Sequence, residues 1–150
     1  MQKRLVLMHE VAKVKWIYQL AIDDPAREQQ SLEALLQQSE GLDPRFTTRF
    51  FQAQFQAAQQ LQREDFASWK EFHSGPFAPL VDLKNEVHSL IDRMNLHMLH
   101  LLREISSTSD TLPPLFRRPA DHIPPAIWQE ALTPLLCKLL FFSQMCNNKS

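Results

Sequence analysis

Apolar residues return every three or four positions along most of this chain, the period of α-helices, and no stretch alternates in twos as a half-buried strand would. Punctuation divides the pattern into five segments. The first helix is predicted from about Lys3 to Ala21. Asp24-Pro25 then offers an N-cap followed by proline at the first helical position, and a second helix runs to about Glu40. Gly41 stands where a left-handed terminating residue belongs, and Asp43-Pro44 repeats the cap-and-proline signal to open a long third helix ending near Phe72. Residues 73–79 form a breaker cluster, and Asp82 is placed to cap a fourth helix reaching about Ile105. Ser106 to Pro125, with five prolines, reads as a loop. The last helix runs from Pro125 to about Cys146, with Pro134 expected to kink it and a frayed tail beyond. The fold class is all-α: one domain over residues 1–150, with a helical core in 1–105 and a Pro-rich loop plus C-terminal helix in 106–150.

Within that pattern two cations fall on an apolar stripe. Arg4 and Lys15 are eleven positions apart, within roughly 20° of a whole number of helical turns. Met8, Val11 and Tyr18 share their side. Two inward cations, well separated, ask for an anion between them. The alternative is that both are solvated and that the core face runs through Leu7, Val14 and Ile17. A similar choice arises on the third helix, where Phe51, Phe55, Ala58 and Gln62 share a stripe. Gln62 is then a buried amide needing partners, or else one more surface glutamine among Gln52, Gln54, Gln56, Gln59 and Gln60. Arg27 and Glu28 sit in the first turns of the second helix, where unpaired N–H groups suit an anion, or form an exposed pair. Arg93 sits with Leu90, Met94 and His97, and either points inward or snorkels.

Composition narrows the chemistry further. With 2 Gly against 10 Pro the chain has no glycine-rich phosphate loop, and a net charge of −1 gives no electrostatic reason to expect nucleic acid or a membrane surface. No apolar run reaches the ~20 residues of a membrane span. His97 and His100 lie three apart, but no carboxylate or cysteine completes a metal site. Cys137 and Cys146 are nine apart, so one straight helix would put them on opposite faces, unable to pair. The first ten residues show no export signal, which leaves a cytoplasmic protein or a mature form.

The ordered set Arg4-Leu-Val-Leu-Met-His-Glu-Val-Ala-Lys-Val-Lys15-Trp, Asp24-Pro-Ala-Arg27-Glu28, Gly41-Leu-Asp-Pro, Phe50-Phe-Gln-Ala-Gln54 and Gln62 resembles the all-helical chorismate mutases, nearest their exported gamma subclass. The resemblance is strong from residue 4 to about 72, looser through Ser89-Leu-Ile-Asp-Arg93-Met, and limited to length and helical character beyond 106. It implies a cofactor-free rearrangement of chorismate to prephenate. Lys15 and Gln62 would donate to the ether oxygen of the substrate; Arg4, Arg27 and Arg93 would clamp its two carboxylates. Glu28 and the backbone around Asp24 would meet the ring hydroxyl. The resemblance also implies a homodimer with each pocket inside one protomer, and a periplasmic or secreted location, with the cytoplasm as the alternative. Two positions depart from the family's habits: Ala58 stands where a hydroxyl or amide residue is common, and Ser31 where some members have Gln. A non-catalytic module binding an aromatic acid or a partner helix is the competing expectation. A purely structural domain would leave the inward cations unexplained.

Overall fold

Five helices follow one another: α1 (Gln2–Ile17), α2 (Pro25–Gln37), α3 (Pro44–Glu71), α4 (Leu83–Ser107) and α5 (Pro125–Asn147). They come from a computed structural model that describes residues 2–72, 77, 83–107 and 123–147, with side chains described in 4–72, 77, 88–106 and 123–136. The breaker cluster apart from Phe77, the Asp82 cap, most of the Pro-rich loop, the tail beyond Asn147 and the side chains of both cysteines lie outside the described residues. All described regular structure is helical. Among the described residues no helix is long and apolar enough to cross a membrane.

Caps fix where the helices begin. Asp24 accepts from the Arg27 N–H at 3.0 Å, with Pro25 at the first helical position. Asp43 does the same for the Phe46 N–H at 2.6 Å, and its carbonyl receives the Thr47 N–H and hydroxyl. Because Asp43 is exposed and its side chain serves the cap, Asp43→Ala is expected to lower the unfolding free energy by about 1 kcal/mol. A urea midpoint that drops at unchanged slope would register it.

Two ends depart from expectation. α1 stops at Ile17, not near Ala21, because Gln19 turns left-handed at φ 53°. The Leu20 N–H bonds the Lys15 carbonyl and the Gln19 N–H the Trp16 carbonyl, the paired bonds of a Schellman terminus made without glycine. Tyr18 therefore swings outward, 58% exposed, off the stripe it was expected to share. α2 ends at Gln37; Gly41 does take a left-handed φ of 82°, but inside a turn closed by the Leu42 N–H on the Ser39 carbonyl. Arg103 of α4 donates to the Gln38 and Glu40 carbonyls in that connection, tying α4 to the end of α2.

α3 is the central helix and is buried on several sides at once. One side joins Ala57, Ala58 and Leu61 to Leu5, Met8 and Val11 of α1 and to Ile127, Trp128 and Ala131 of α5. Another joins Phe50, Phe51 and Phe55 to Leu32 and Leu35 of α2 and to Met98, Leu99 and Leu102 of α4. Arg4 is buried on the first core's face of α1, so the stripe through Met8 and Val11 does point inward. Gln54 and Gln62 are likewise buried, whereas Gln52, Gln56 and Gln60 are exposed. Between the two cores, where α1, α2, α3 and α4 converge, the packing leaves a cavity.

Candidate active site

Arg4 enters this cavity from the first turns of α1. Its guanidinium donates through Nε to Asn95 Oδ1 and through Nη1 to the Gln54 carbonyl, each at 2.9 Å, and lies 5.7 Å from the centre of the Phe55 ring. Burial pushes its pKa down to about 10 against the opposing pull of Glu28, so it stays charged at neutral pH. A buried cation must be paired and hydrogen-bonded to persist. Here two neutral acceptors hold it in place, while no carboxylate bonds to it directly.

Three turns further along α1, Lys15 reaches the same cavity. Its ammonium donates to the Ile22 carbonyl at 2.6 Å, using one of three N–H groups. Burial lowers its pKa below the ordinary lysine value, partly offset by Asp24, Glu28 and Asp23. Because the Schellman turn also bonds the Lys15 carbonyl, both ends of this residue are tied to the connection before α2.

α2 brings Arg27, Glu28 and Ser31 to the wall, one turn after the Asp24 cap. Arg27 Nη2 pairs with Asp92 of α4 at 2.8 Å across the groove between the helices. Glu28 accepts from Gln59 of α3, which holds its carboxylate against the wall. α3 contributes Phe55, Ala58, Gln59 and Gln62. Gln62 Nε2 donates to the Ala58 carbonyl at 3.1 Å and lies 3.9 Å from Met8 Sδ, while its Oε1 is buried with no partner. The atom left without a partner is thus the Oε1 acceptor, while the second N–H is spent only on the weak thioether acceptor, which a ligand oxygen can displace.

The residues singled out from sequence gather as follows. Arg4, Lys15, Asp24, Arg27, Glu28, Ser31, Ala58 and Gln62 all line one cavity of about 110 Å³. Arg93 does not. It is exposed, and α4 turns His88, Ile91 and Asn95 to the wall instead. Arg93 follows Ile91 by two residues, which is roughly 200° around the helix, so both cannot face one cavity. Ala58 is buried and brings no hydroxyl, so its side chain offers a ligand no hydrogen bond.

Sequence reasoning missed Asn95, Asp92 and His88. An asparagine on the Ile91, Met98, Leu102 stripe was the available signal for Asn95, since an amide among apolar neighbours signals a buried partner. A second cleft of about 220 Å³ lies between α2 and α4, outside the Arg27–Asp92 pair. Among the described residues its one cation is Arg27, already matched by Asp92, so it is not built for a dianion. Among the described residues no group of three His, Cys, Asp or Glu could hold a metal ion.

The cavity thus offers three cations, an incompletely satisfied amide and two carboxylates. That set can bind a polar dianion in one orientation and offer N–H donors to it, which is catalysis by positioning and electrostatics. The chorismate mutase type II family pattern matches residues 1–63, a stretch that ends one residue after Gln62 and contains every wall residue of α1, α2 and α3. A secreted chorismate mutase of Mycobacterium tuberculosis is 36% identical over 100 residues, 65% of this chain and 49% of that protein. The chain therefore spans about half the length of the curated relative it matches. A crystal structure of chorismate mutase from Burkholderia thailandensis shares the fold at a TM-score of 0.73 and 28% identity, over 89% of this chain and 92% of that one.

Proposed function

We propose that this chain, which has the fold of a chorismate mutase and the type II family's sequence over residues 1–63, isomerises chorismate to prephenate. The observation that carries the reading is the meeting of Lys15 and Gln62, from different helices, on one cavity wall that also holds Arg4 and Arg27. Chorismate has two carboxylates and an ether oxygen. In the rearrangement the ether C–O bond breaks as a C–C bond forms, with no proton transferred and no electrons exchanged with the protein. Negative charge grows on the ether oxygen, and donors fixed there in advance lower the barrier.

Arg4 and Arg27 take the carboxylates and hold the reactive, folded conformer. Lys15, as ammonium, and Gln62, through the N–H now turned to the Met8 sulfur, meet the ether oxygen. Glu28 and the backbone at Asp24 receive the ring hydroxyl. The reaction calls for no cofactor or metal. The secreted relative supports an exported, periplasmic or extracellular protein; a homodimer with one complete pocket per protomer, and a place in aromatic amino acid synthesis, belong to the same reading. The missing hydroxyl at Ala58 favours the competing reading, a module that binds the dianion without turning it over.

Loss of chorismate absorbance with prephenate formation at pH 7 tests the reaction directly. The pH profile tests the site. Lys15 must be protonated to stabilise developing charge, and its pKa lies below that of an ordinary lysine. The Lys15 contribution is therefore expected in full below that lowered pKa, with kcat falling as pH rises through it. A profile flat to pH 11 would remove the ammonium from the mechanism.

A further inference from the structure

The fourth helix meets the cavity through His88, Ile91 and Asn95, residues one and two turns apart on a single stripe. Asn95 is buried and committed to Arg4, and Ile91 is apolar. His88 alone of the three is exposed while lining the cavity, so it stands at the mouth. The neighbouring charges are Lys15 from α1, Asp24 from the connection before α2, Arg27 from α2 and Asp92 from α4 itself. α3 faces the cavity with Phe55, Ala58, Gln59 and Gln62, none of which titrates.

We propose that His88, and not Arg93, is the fourth-helix contact to the substrate, closing the cavity mouth over a carboxylate and pairing with it as imidazolium. The inference rests on the reading of this cavity as a chorismate mutase site. Three features carry it. Arg93 lies off the wall, so a third cation at this helix must come from elsewhere. Asp92 occupies one edge of Arg27, so a carboxylate arriving there gains from a second partner. His88 shares the cavity wall with Arg27, the arginine assigned to a carboxylate, and lies within its electrostatic reach.

The electrostatics give this contact a signature. Without substrate, burial and then Arg27 and Lys15 push the His88 pKa down, while Asp92 and Asp24 pull it back. A bound dianion offsets the two cations and raises that pKa, so binding takes up a proton. The added affinity is complete below the substrate-free pKa and lost as pH rises through the bound one. Because the mouth is exposed, the pair is worth a roughly three- to fivefold change in KM and little in kcat.

Steady-state kinetics on chorismate between pH 5 and 8 read this out for the wild type, His88→Gln, His88→Lys and Arg93→Gln. The expected result is a wild-type KM that falls toward acid, a KM for His88→Gln fixed at the higher value, and a low KM at every pH for His88→Lys. Arg93→Gln should follow the wild type. A His88→Gln enzyme that keeps the wild-type KM profile, or an Arg93→Gln enzyme that alone loses affinity, overturns the inference while turnover still upholds the reaction. A folded wild type with no turnover at all overturns both, and the absence of prephenate tells the two failures apart.

Discussion

Lys15→Ala is expected to lower kcat for prephenate formation by a hundredfold or more at pH 7, while the variant folds like the parent. One fixed donor at a developing oxyanion is typically worth about 3–4 kcal/mol of barrier. The lysine is well placed to supply it: half-buried and anchored at Ile22 with N–H groups to spare. The structural cost of its removal is small. The Ile22 carbonyl lies on a half-exposed residue and water can replace the bond. Chorismate consumption followed by absorbance, beside a urea unfolding curve, separates the two effects. A drop below tenfold in a folded variant would take Lys15 away from the ether oxygen.

Gln62→Glu is expected to convert a flat profile into a steep one. An amide donates at any pH, so the wild-type kcat should be nearly constant from about pH 5 to 8. A glutamic acid at this buried position donates only while protonated. Burial favours the neutral form, as does the Ala58 carbonyl that now receives the Gln62 amide, with Lys15 opposing them. As pH rises through the pKa of the new carboxyl the donor vanishes and a negative charge faces a dianion. The variant's kcat should fall by about tenfold per pH unit above that value, reaching a hundredfold or more by pH 8. Measuring kcat for both enzymes across the range decides it. A variant as flat as the wild type would mean that Gln62 does not touch the reacting oxygen.

The residues of α1, α2 and α3 that meet at the cavity were legible because each is marked by a conflict within a simple pattern. Arg4 and Lys15 are charges on an apolar stripe, Gln62 an amide on an aromatic one, and Asp24-Pro25 fixes where α2 starts and hence where Arg27 and Glu28 point. α4 was not legible in the same way because apolar residues surround much of it. Leu90 and Met94 support one phase, while Ile91, Met98 and Leu102 support another. Only packing against α2 and α3 chooses the second, through Met98, Leu99 and Leu102, and that choice turns Arg93 away from the cavity and sets His88 at its mouth. The end of α1 was hidden for a different reason. A left-handed glutamine carries no glycine to announce the turn, so the helix reads as longer than it is.

Gln54 and Arg4 together tie most of the molecule to one line of hydrogen bonds. The Gln54 amide donates to the Ala131 carbonyl of α5 at 2.7 Å, and its own carbonyl accepts from Arg4 of α1, which in turn holds Asn95 of α4. The line runs through four helices, and its links span 77, 50 and 91 residues of sequence. During synthesis Arg4 is made 91 residues before its acceptor at Asn95. The pocket has no local precursor. A growing chain carries this cation before its final partners exist, and the site becomes whole only once Asn95 has been added.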